Sequence, residues 1–150
     1  MSANFVRLEP GRDREYWEKS ILKLSWIAVG GASALVAVML GAFGAHALEG
    51  RLTAHYLEVF KTAAYYQMVH ALALILIGQR AEMRPQSRLL PISCGLMAAG
   101  VAIFCGSLYI LAVTGERRLG MIAPLGGLSF MAGWAAFVIA EITVRRLSVQ

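Results

Sequence analysis

Charged residues are absent from four long stretches of the chain, and these stretches define its organisation. No Asp, Glu, Lys or Arg occurs in residues 24–48, 62–79, 89–115 or 119–140. A bilayer core of about 30 Å requires about 20 apolar residues in a helix that rises about 1.5 Å per residue. Each stretch is long enough to cross a membrane, the second only just. We predict an all-α, polytopic membrane protein whose four spans form an antiparallel transmembrane four-helix bundle.

The remaining residues form the arm, loops and tail of this single membrane domain, residues 24–140. Residues 1–23 are a charged N-terminal arm that is expected to form an interfacial helix or a docking arm for a protein, and 141–150 are a short tail. Residues 49–61 alternate apolar and charged positions at helical spacing, which predicts an amphipathic turn at the membrane surface. The first stretch is longer than the apolar part of a signal peptide, about 7–15 residues, so we expect a permanent span.

Composition and charge narrow the class further. Of the 150 residues, 58% are apolar and 15% charged, against roughly 45–50% and 25% in soluble domains. Ten basic residues lie in the arm, the second loop and the tail, and four lie in the other two loops. The positive-inside rule therefore places both termini in the cytoplasm. The net charge of +5 reports this topology and, secondarily, contact with membrane lipids; we expect no nucleic-acid partner.

Small residues within the spans are candidates for helix packing. Lipid gives apolar helices no hydrophobic gain on pairing, so association depends on close approach at small residues. A proline in the last stretch is expected to kink the fourth helix or to start it. These packing candidates are Gly41, Gly44, Gly106, Pro124, Gly126, Gly127 and Gly133.

Polar side chains inside the stretches form the other candidate constellation. Polar groups in hydrocarbon usually face the bundle interior and find partners there. Counted from the predicted outer ends, His70 and Ser107 lie about 12 Å deep. We therefore predict one polar cluster in the outer half of the bundle: His46, Tyr66, Gln67, His70, Ser107 and Tyr109.

Several of these residues belong to motifs that resemble a known family. The motifs are LGAFGAHAL from Leu40, YQMVHALAL from Tyr66, FCGSLY from Phe104 and PLGG from Pro124, followed by Gly133 and Trp134. In this order they resemble the YgdD-like small inner-membrane proteins, a family built on domain of unknown function 423. The resemblance implies a four-helix protein of the bacterial inner membrane and no established activity. The chain departs from the pattern by its longer arm, by Cys105 for serine and by Ala123 for threonine.

Cofactor and metal chemistry is poorly supported by the residue spacing. His46 and His70 differ in estimated depth by about 9 Å, a poor arrangement for two axial haem ligands. Cys94 and Cys105 lie on one helix about 16 Å apart, too far to bridge or to share a metal. We predict no cofactor and no metal site.

The sequence leaves catalysis open and favours a protein that is not an enzyme. A Ser107–His70 dyad can be drawn, but no span contains a carboxylate to orient it. The leading hypothesis is a structural or accessory component of the membrane or of a membrane complex. The alternative is a small transporter, channel or proton relay that uses the polar cluster. A homo-oligomer or a membrane-complex partner is compatible with either hypothesis.

Overall fold

The computed structural model describes residues 25–147, with side chains up to residue 143. Its four long helices are α1 (Trp26–His46), α2 (Ala54–Met83), α3 (Leu89–Thr114) and α4 (Ala123–Leu147). A short 3-10 helix, Arg117–Met121, joins α3 to α4. The described residues contain no strand, and four helical segments are long and apolar enough to cross a membrane. These features agree with the predicted all-α class. The interfacial helix expected in the arm lies outside the described residues.

Capping side chains set the start of the first two helices. The Ser25 hydroxyl accepts a hydrogen bond from the Ala28 N–H at 3.2 Å, and the Thr53 hydroxyl accepts one from Tyr56 at 3.4 Å. Such side chains satisfy N–H groups that have no partner within the helix. Since α2 begins after Thr53, residues 54–61 form its first turns, where the sequence analysis expected a separate surface turn.

Each helix packs antiparallel to the next one along the chain. α1 lies along α2, α2 along α3, and α3 along α4. α2 and α4 therefore run parallel, and they meet through side chains without an extended backbone contact. At one end of the molecule, Arg80 of α2 forms two hydrogen bonds of 2.9 Å to Glu141 of α4, and Arg84 adds a longer contact at 3.3 Å. The sequence also suggests that Glu141 pairs with Arg145, whose side chain lies outside the described ones.

A seven-residue repeat of small residues brings α1 against α2. Gly30, Ala37 and Gly44 are the buried residues of α1. A Cβ atom at Gly30 would lie 2.8 Å from the Ala71 carbonyl oxygen, and one at Gly44 would lie 2.9 Å from the Phe60 ring. Real Cβ atoms do not approach so closely. Residues seven apart return to the same face of a helix, so this repeat keeps α1 close to α2 over its whole length.

The contact between α3 and α4 is closer still. Gly126 of α4 lies against the backbone of Phe104, and Gly100 of α3 lies against the Phe130 ring, with no room for a Cβ atom at either glycine. Gly133 has tight but less severe contact with Met97, at 3.2 Å. α4 begins at Ala123, so Pro124 stands in its first turn, where the missing N–H removes no helical hydrogen bond.

Three of the expected packing glycines have no close neighbour among the described residues. A Cβ atom at Gly41, Gly106 or Gly127 would meet nothing within 4 Å, so the packing role expected for these three is wrong for contacts within the described chain. Gly41 and Gly127 are half-buried, whereas Gly44 and Gly126 are buried against the adjacent helix.

Gly106 lacks a close neighbour because the helix is distorted just before it. Residues Val101–Cys105 form a π-helical segment within α3, and the Gly106 N–H donates to the Val101 carbonyl five residues earlier. Such a segment adds a residue to the turn and rotates the following residues by about 100°. Gly106 is thereby displaced from the row of small residues that precedes it. The segment coincides with the level at which Gly126 contacts Phe104.

Adjacent glycines in α4 provide a matched test of this packing. We expect Gly126→Ala to lower the stability of the detergent-solubilised protein by about 1–3 kcal/mol, because the new Cβ would collide with the Phe104 backbone. Gly127→Ala should leave stability unchanged or raise it by up to about 1 kcal/mol through its better helix propensity. Thermal unfolding followed by circular dichroism measures both. Equal stability of the two variants would contradict the described contact between α3 and α4.

Candidate functional site

Gln67 joins three helices through its side-chain amide. Its Nε2 atom donates to the Ser33 carbonyl of α1 at 3.1 Å, and its Oε1 atom accepts from the Tyr109 hydroxyl of α3 at 2.9 Å. The side chain is only 6% exposed. Burying an amide among apolar groups costs free energy unless both its NH₂ group and its carbonyl oxygen are hydrogen-bonded. Gln67 meets this requirement only if α1, α2 and α3 are held together.

His70, one turn further along α2, connects to α4. Its Nδ1 atom lies 2.8 Å from the Tyr66 carbonyl, and its Nε2 atom lies 3.4 Å from the Trp134 indole nitrogen. A carbonyl oxygen only accepts a hydrogen bond and an indole N–H only donates one. The arrangement therefore assigns the neutral tautomer that carries its proton on Nδ1. The imidazole stacks on the Phe130 ring, with centroids 3.5 Å apart and planes at 17°.

These rings border a cavity between α2 and α4, which we call the aromatic cavity. Its volume is about 400 Å³. Tyr66 stacks over His70 with ring centroids 6.0 Å apart, and it approaches Phe104 to 5.0 Å. The π-helical segment of α3 contains Phe104 and thus forms part of the wall. The cavity is lined by Tyr66, His70, Phe104, Gly127, Phe130, Met131 and Trp134.

The structure brings some of the predicted cluster together and leaves two members apart. Gln67 meets Tyr109, and Tyr66 meets His70. The Ser107 hydroxyl instead donates to the Phe104 carbonyl of its own helix at 2.9 Å. Since both nitrogens of His70 are bonded to other groups, the Ser107–His70 dyad is not formed.

His46 is separated from the rest by its position on α1. It is the exposed last residue of that helix. Gly44 beside it contacts Phe60, which precedes His70 by ten residues or about 15 Å of helix. The two imidazoles consequently stand at different levels. Within the described residues, no group of three His, Cys, Asp or Glu side chains is placed to hold a metal ion.

His70 lies near the middle of its helix. His70 follows the first residue of α2 by 16 positions and precedes the last by 13, which corresponds to about 24 Å and 20 Å of helix. It therefore stands near the middle of α2. It is also near the middle of the charge-free stretch 62–79.

Aromatic and aliphatic members of the site were missed by a search for polar groups. Phe104, Phe130 and Met131 line the aromatic cavity, and Gly127 does so where packing was expected. A signal was present: Tyr66 and His70 are four residues apart on α2, and Phe130 and Trp134 are four apart on α4. Residues at this spacing share a helix face, so the pattern places two pairs of rings on two facing helices.

Two serines add hydrogen bonds between α3 and α4. The Ser93 hydroxyl donates to the Gly133 carbonyl at 2.7 Å, and the Ser129 hydroxyl donates to the Leu96 carbonyl at 2.8 Å. Both bonds depend on the close approach of the two helices. The polar groups of the site therefore do two things: they connect neighbouring helices, and they border one largely apolar cavity.

Removal of the Gln67 amide tests the three-helix connection. Gln67→Met keeps an unbranched side chain of similar length but leaves the Tyr109 hydroxyl and the Ser33 carbonyl without this partner. We expect a loss of about 1–3 kcal/mol in the free energy of unfolding, measured in detergent. Gln79→Met is the matched control, since Gln79 is an exposed residue of the same helix. An equal effect of both changes would show that the bridge contributes nothing specific.

Comparisons with known proteins identify the family of this chain. The family described as "Protein of unknown function (DUF423)" matches residues 40–127. The chain is 44% identical over 117 residues to the UPF0382 membrane protein YwdK of Bacillus subtilis, covering 78% of this chain and 95% of that protein. It is also 44% identical over 115 residues to the UPF0382 membrane protein SAB0533 of Staphylococcus aureus, with coverage of 77% and 93%. No solved structure matches. The chain is an integral membrane protein and belongs to the DUF423 family.

Proposed function

We propose that the protein is a structural or accessory component of the bacterial inner (plasma) membrane or of a complex within it. The proposal rests on one observation: the buried polar groups form hydrogen bonds between helices. Gln67, Ser93 and Ser129 all hydrogen-bond to a neighbouring helix, and His70 accepts from Trp134. Polar groups used in this way fix the arrangement of the helices, which is what a scaffold requires.

The same bonds favour this role over a proton relay. A relay needs consecutive groups that both accept and donate a proton. Gln67, Ser93 and Ser129 each donate to a backbone carbonyl, and the protonated Nδ1 of His70 does so as well. A carbonyl oxygen has no proton to pass on. The hydrogen-bond chains that pass through Gln67 and His70, and the bonds of Ser93 and Ser129, thus end at the backbone.

The outward surface of α1 supports contact with lipids or with a partner. This helix packs mainly along α2, and only a narrow face of it is buried. The rest of its surface is apolar, and its exposed large side chains are Leu35, Val36, Val38, Met39 and Phe43. Membrane lipids cover such a surface in a single chain, and a second copy or another subunit covers it in an assembly.

We place both termini in the cytoplasm. One end of the molecule holds the start of α1 and the last turns of α4, which include Glu141. The same end carries Arg80, Arg84 and Arg88. In the sequence, the basic arm precedes α1 and the basic tail follows Glu141, so the positive-inside rule favours a cytoplasmic position for this end. The resemblance to YgdD-like proteins supports the inner membrane as the location.

Site-directed labelling tests the orientation. His55 is an exposed residue near the start of α2, and Gln86 is an exposed residue in the loop that follows α2. The native Cys94 and Cys105 are buried and give little background. A membrane-impermeant maleimide should label His55→Cys in right-side-out spheroplasts and should label Gln86→Cys only after the membrane is opened. The reverse pattern would overturn the proposed orientation.

Extraction in a mild detergent tests the accessory role. We expect the tagged full-length chain, expressed at its native level, to migrate on native electrophoresis in a defined assembly larger than the 16.2 kDa monomer. The assembly should keep a constant ratio of components through a second purification step. A monomer that moves a solute across a reconstituted bilayer would instead establish the transport alternative.

A further inference from the structure

The aromatic cavity has properties that a scaffold does not require. Four aromatic rings and the His70 imidazole border it, while Gly127 leaves one wall without a side chain. Tyr66 and Trp134 are each 40% exposed, so the cavity opens outward between α2 and α4. The space beside Gly127 can therefore be reached from outside the bundle.

The position and lining of the cavity define the kind of molecule that can reach it. His70 lies near the middle of α2, so the cavity opens at the level of the membrane interior. Its lining contains no Asp, Glu, Lys or Arg, and the two hydrogen bonds of His70 are those of its neutral tautomer. A charged ligand would find no opposite charge there. A molecule that suits this cavity is therefore neutral and reaches it from the membrane.

Size and shape favour a flat ring. A volume of about 400 Å³ lies at the small end of the range for small-molecule sites, about 300–1,000 Å³. Such a volume accommodates one ring or two fused rings. Aromatic walls attract another ring through offset stacking and edge-to-face contact, which a flexible acyl chain cannot provide.

Two of the side chains that line the cavity carry hydrogen-bond donors. The Tyr66 hydroxyl makes no hydrogen bond to the described residues, although the residue lines the cavity. The Trp134 N–H is held by His70 at 3.4 Å, which is long for a hydrogen bond and easily exchanged for a better acceptor. An oxygen that accepts hydrogen bonds, such as a ring carbonyl, matches these donors.

We propose that the aromatic cavity binds a neutral, membrane-soluble molecule whose flat ring carries a carbonyl oxygen. The ring lies among Tyr66, Phe104, Phe130 and Trp134, and the carbonyl accepts a hydrogen bond from the Tyr66 hydroxyl. This inference goes beyond the structural role proposed above and does not depend on it, since a scaffold or a transporter could hold such a ligand.

Gly127 and Gly41 offer a matched pair of variants for the test. Neither position has a neighbour within 4 Å of an added Cβ atom, so the first atom of a larger side chain meets no clash at either one. Gly127→Leu extends into the aromatic cavity, while Gly41→Leu enlarges α1, which forms no part of the lining. The two variants change composition and helix propensity equally, and only the first fills the site.

The probe is a naphthoquinone with methyl groups on both free carbons of the quinone ring, which prevents reaction with thiols. Isothermal titration of the full chain in one detergent measures its affinity. We expect the wild type and Gly41→Leu to bind equally and Gly127→Leu to bind at least tenfold more weakly. Tyr66→Phe should weaken binding by about threefold to tenfold, the effect of one neutral hydrogen bond.

Two further probes separate the parts of the proposal. Dimethylnaphthalene has the same rings without carbonyls and should bind more weakly than the quinone, with no further loss in Tyr66→Phe. Dodecanone has a carbonyl on a flexible chain and should bind more weakly still. Tighter binding of dodecanone than of the quinone would identify the cavity as a site for an acyl chain and would overturn the proposal.

Other outcomes also decide the question. Equal quinone affinity in Gly127→Leu and Gly41→Leu would show that binding occurs elsewhere and would overturn the proposed site. If Gly127→Leu aggregates, the Tyr66→Phe comparison decides, because an unchanged affinity there contradicts the proposed hydrogen bond. The labelling and electrophoresis experiments give their results without any ligand, so failure of this proposal and failure of the structural role are distinguishable.

Discussion

Lipid solvates apolar side chains as well as another helix does, and this constraint shapes the whole molecule. Association of the helices must come from close backbone contact and from hydrogen bonds that lipid cannot replace. The two depend on each other here. Gly30 and Gly44 bring α1 near enough to α2 for the Gln67 amide to reach the Ser33 carbonyl. In return, the cost of leaving this amide unbonded in hydrocarbon holds the helices at that distance.

The contact between α2 and α4 differs from the other helix contacts, because it is made through side chains alone. Ion pairs between Arg80 and Glu141 connect them at one end, and the stacked rings of His70 and Phe130 connect them near the middle. Helices joined by side chains stand further apart than helices joined at glycines. The gap that remains beside Trp134 is the aromatic cavity. Its existence therefore follows from which pairs of helices have small residues on their facing sides.

The membrane class, the four helices and their antiparallel order follow from charge-free stretches and short loops, which depend only on local sequence. Local sequence does not show that Gly44, and not Gly41, packs against α2. Both glycines belong to the same run of small residues, and which one makes the contact depends on how α1 is rotated against α2. The pairing of Gln67 with Tyr109 was within reach of the sequence, since both were recognised as intramembrane polar groups. The π-helical segment could not be predicted, because no residue pattern marks it. This segment displaces Gly106 and contains Phe104, which lines the cavity.

Gly126 and Gly127 are adjacent in the sequence but have different effects: the first allows close packing of α4 on α3, and the second leaves the cavity open. Successive residues of a helix point about 100° apart, so two adjacent glycines open two different faces of α4. The first face meets the backbone of Phe104 and brings α4 onto α3. The second turns toward the gap beside α2 and leaves the cavity open. A larger residue at Gly126 would separate α3 from α4 and weaken the serine hydrogen bonds between them. A larger residue at Gly127 would leave those bonds intact and remove only the space, so packing and binding are separable at neighbouring positions.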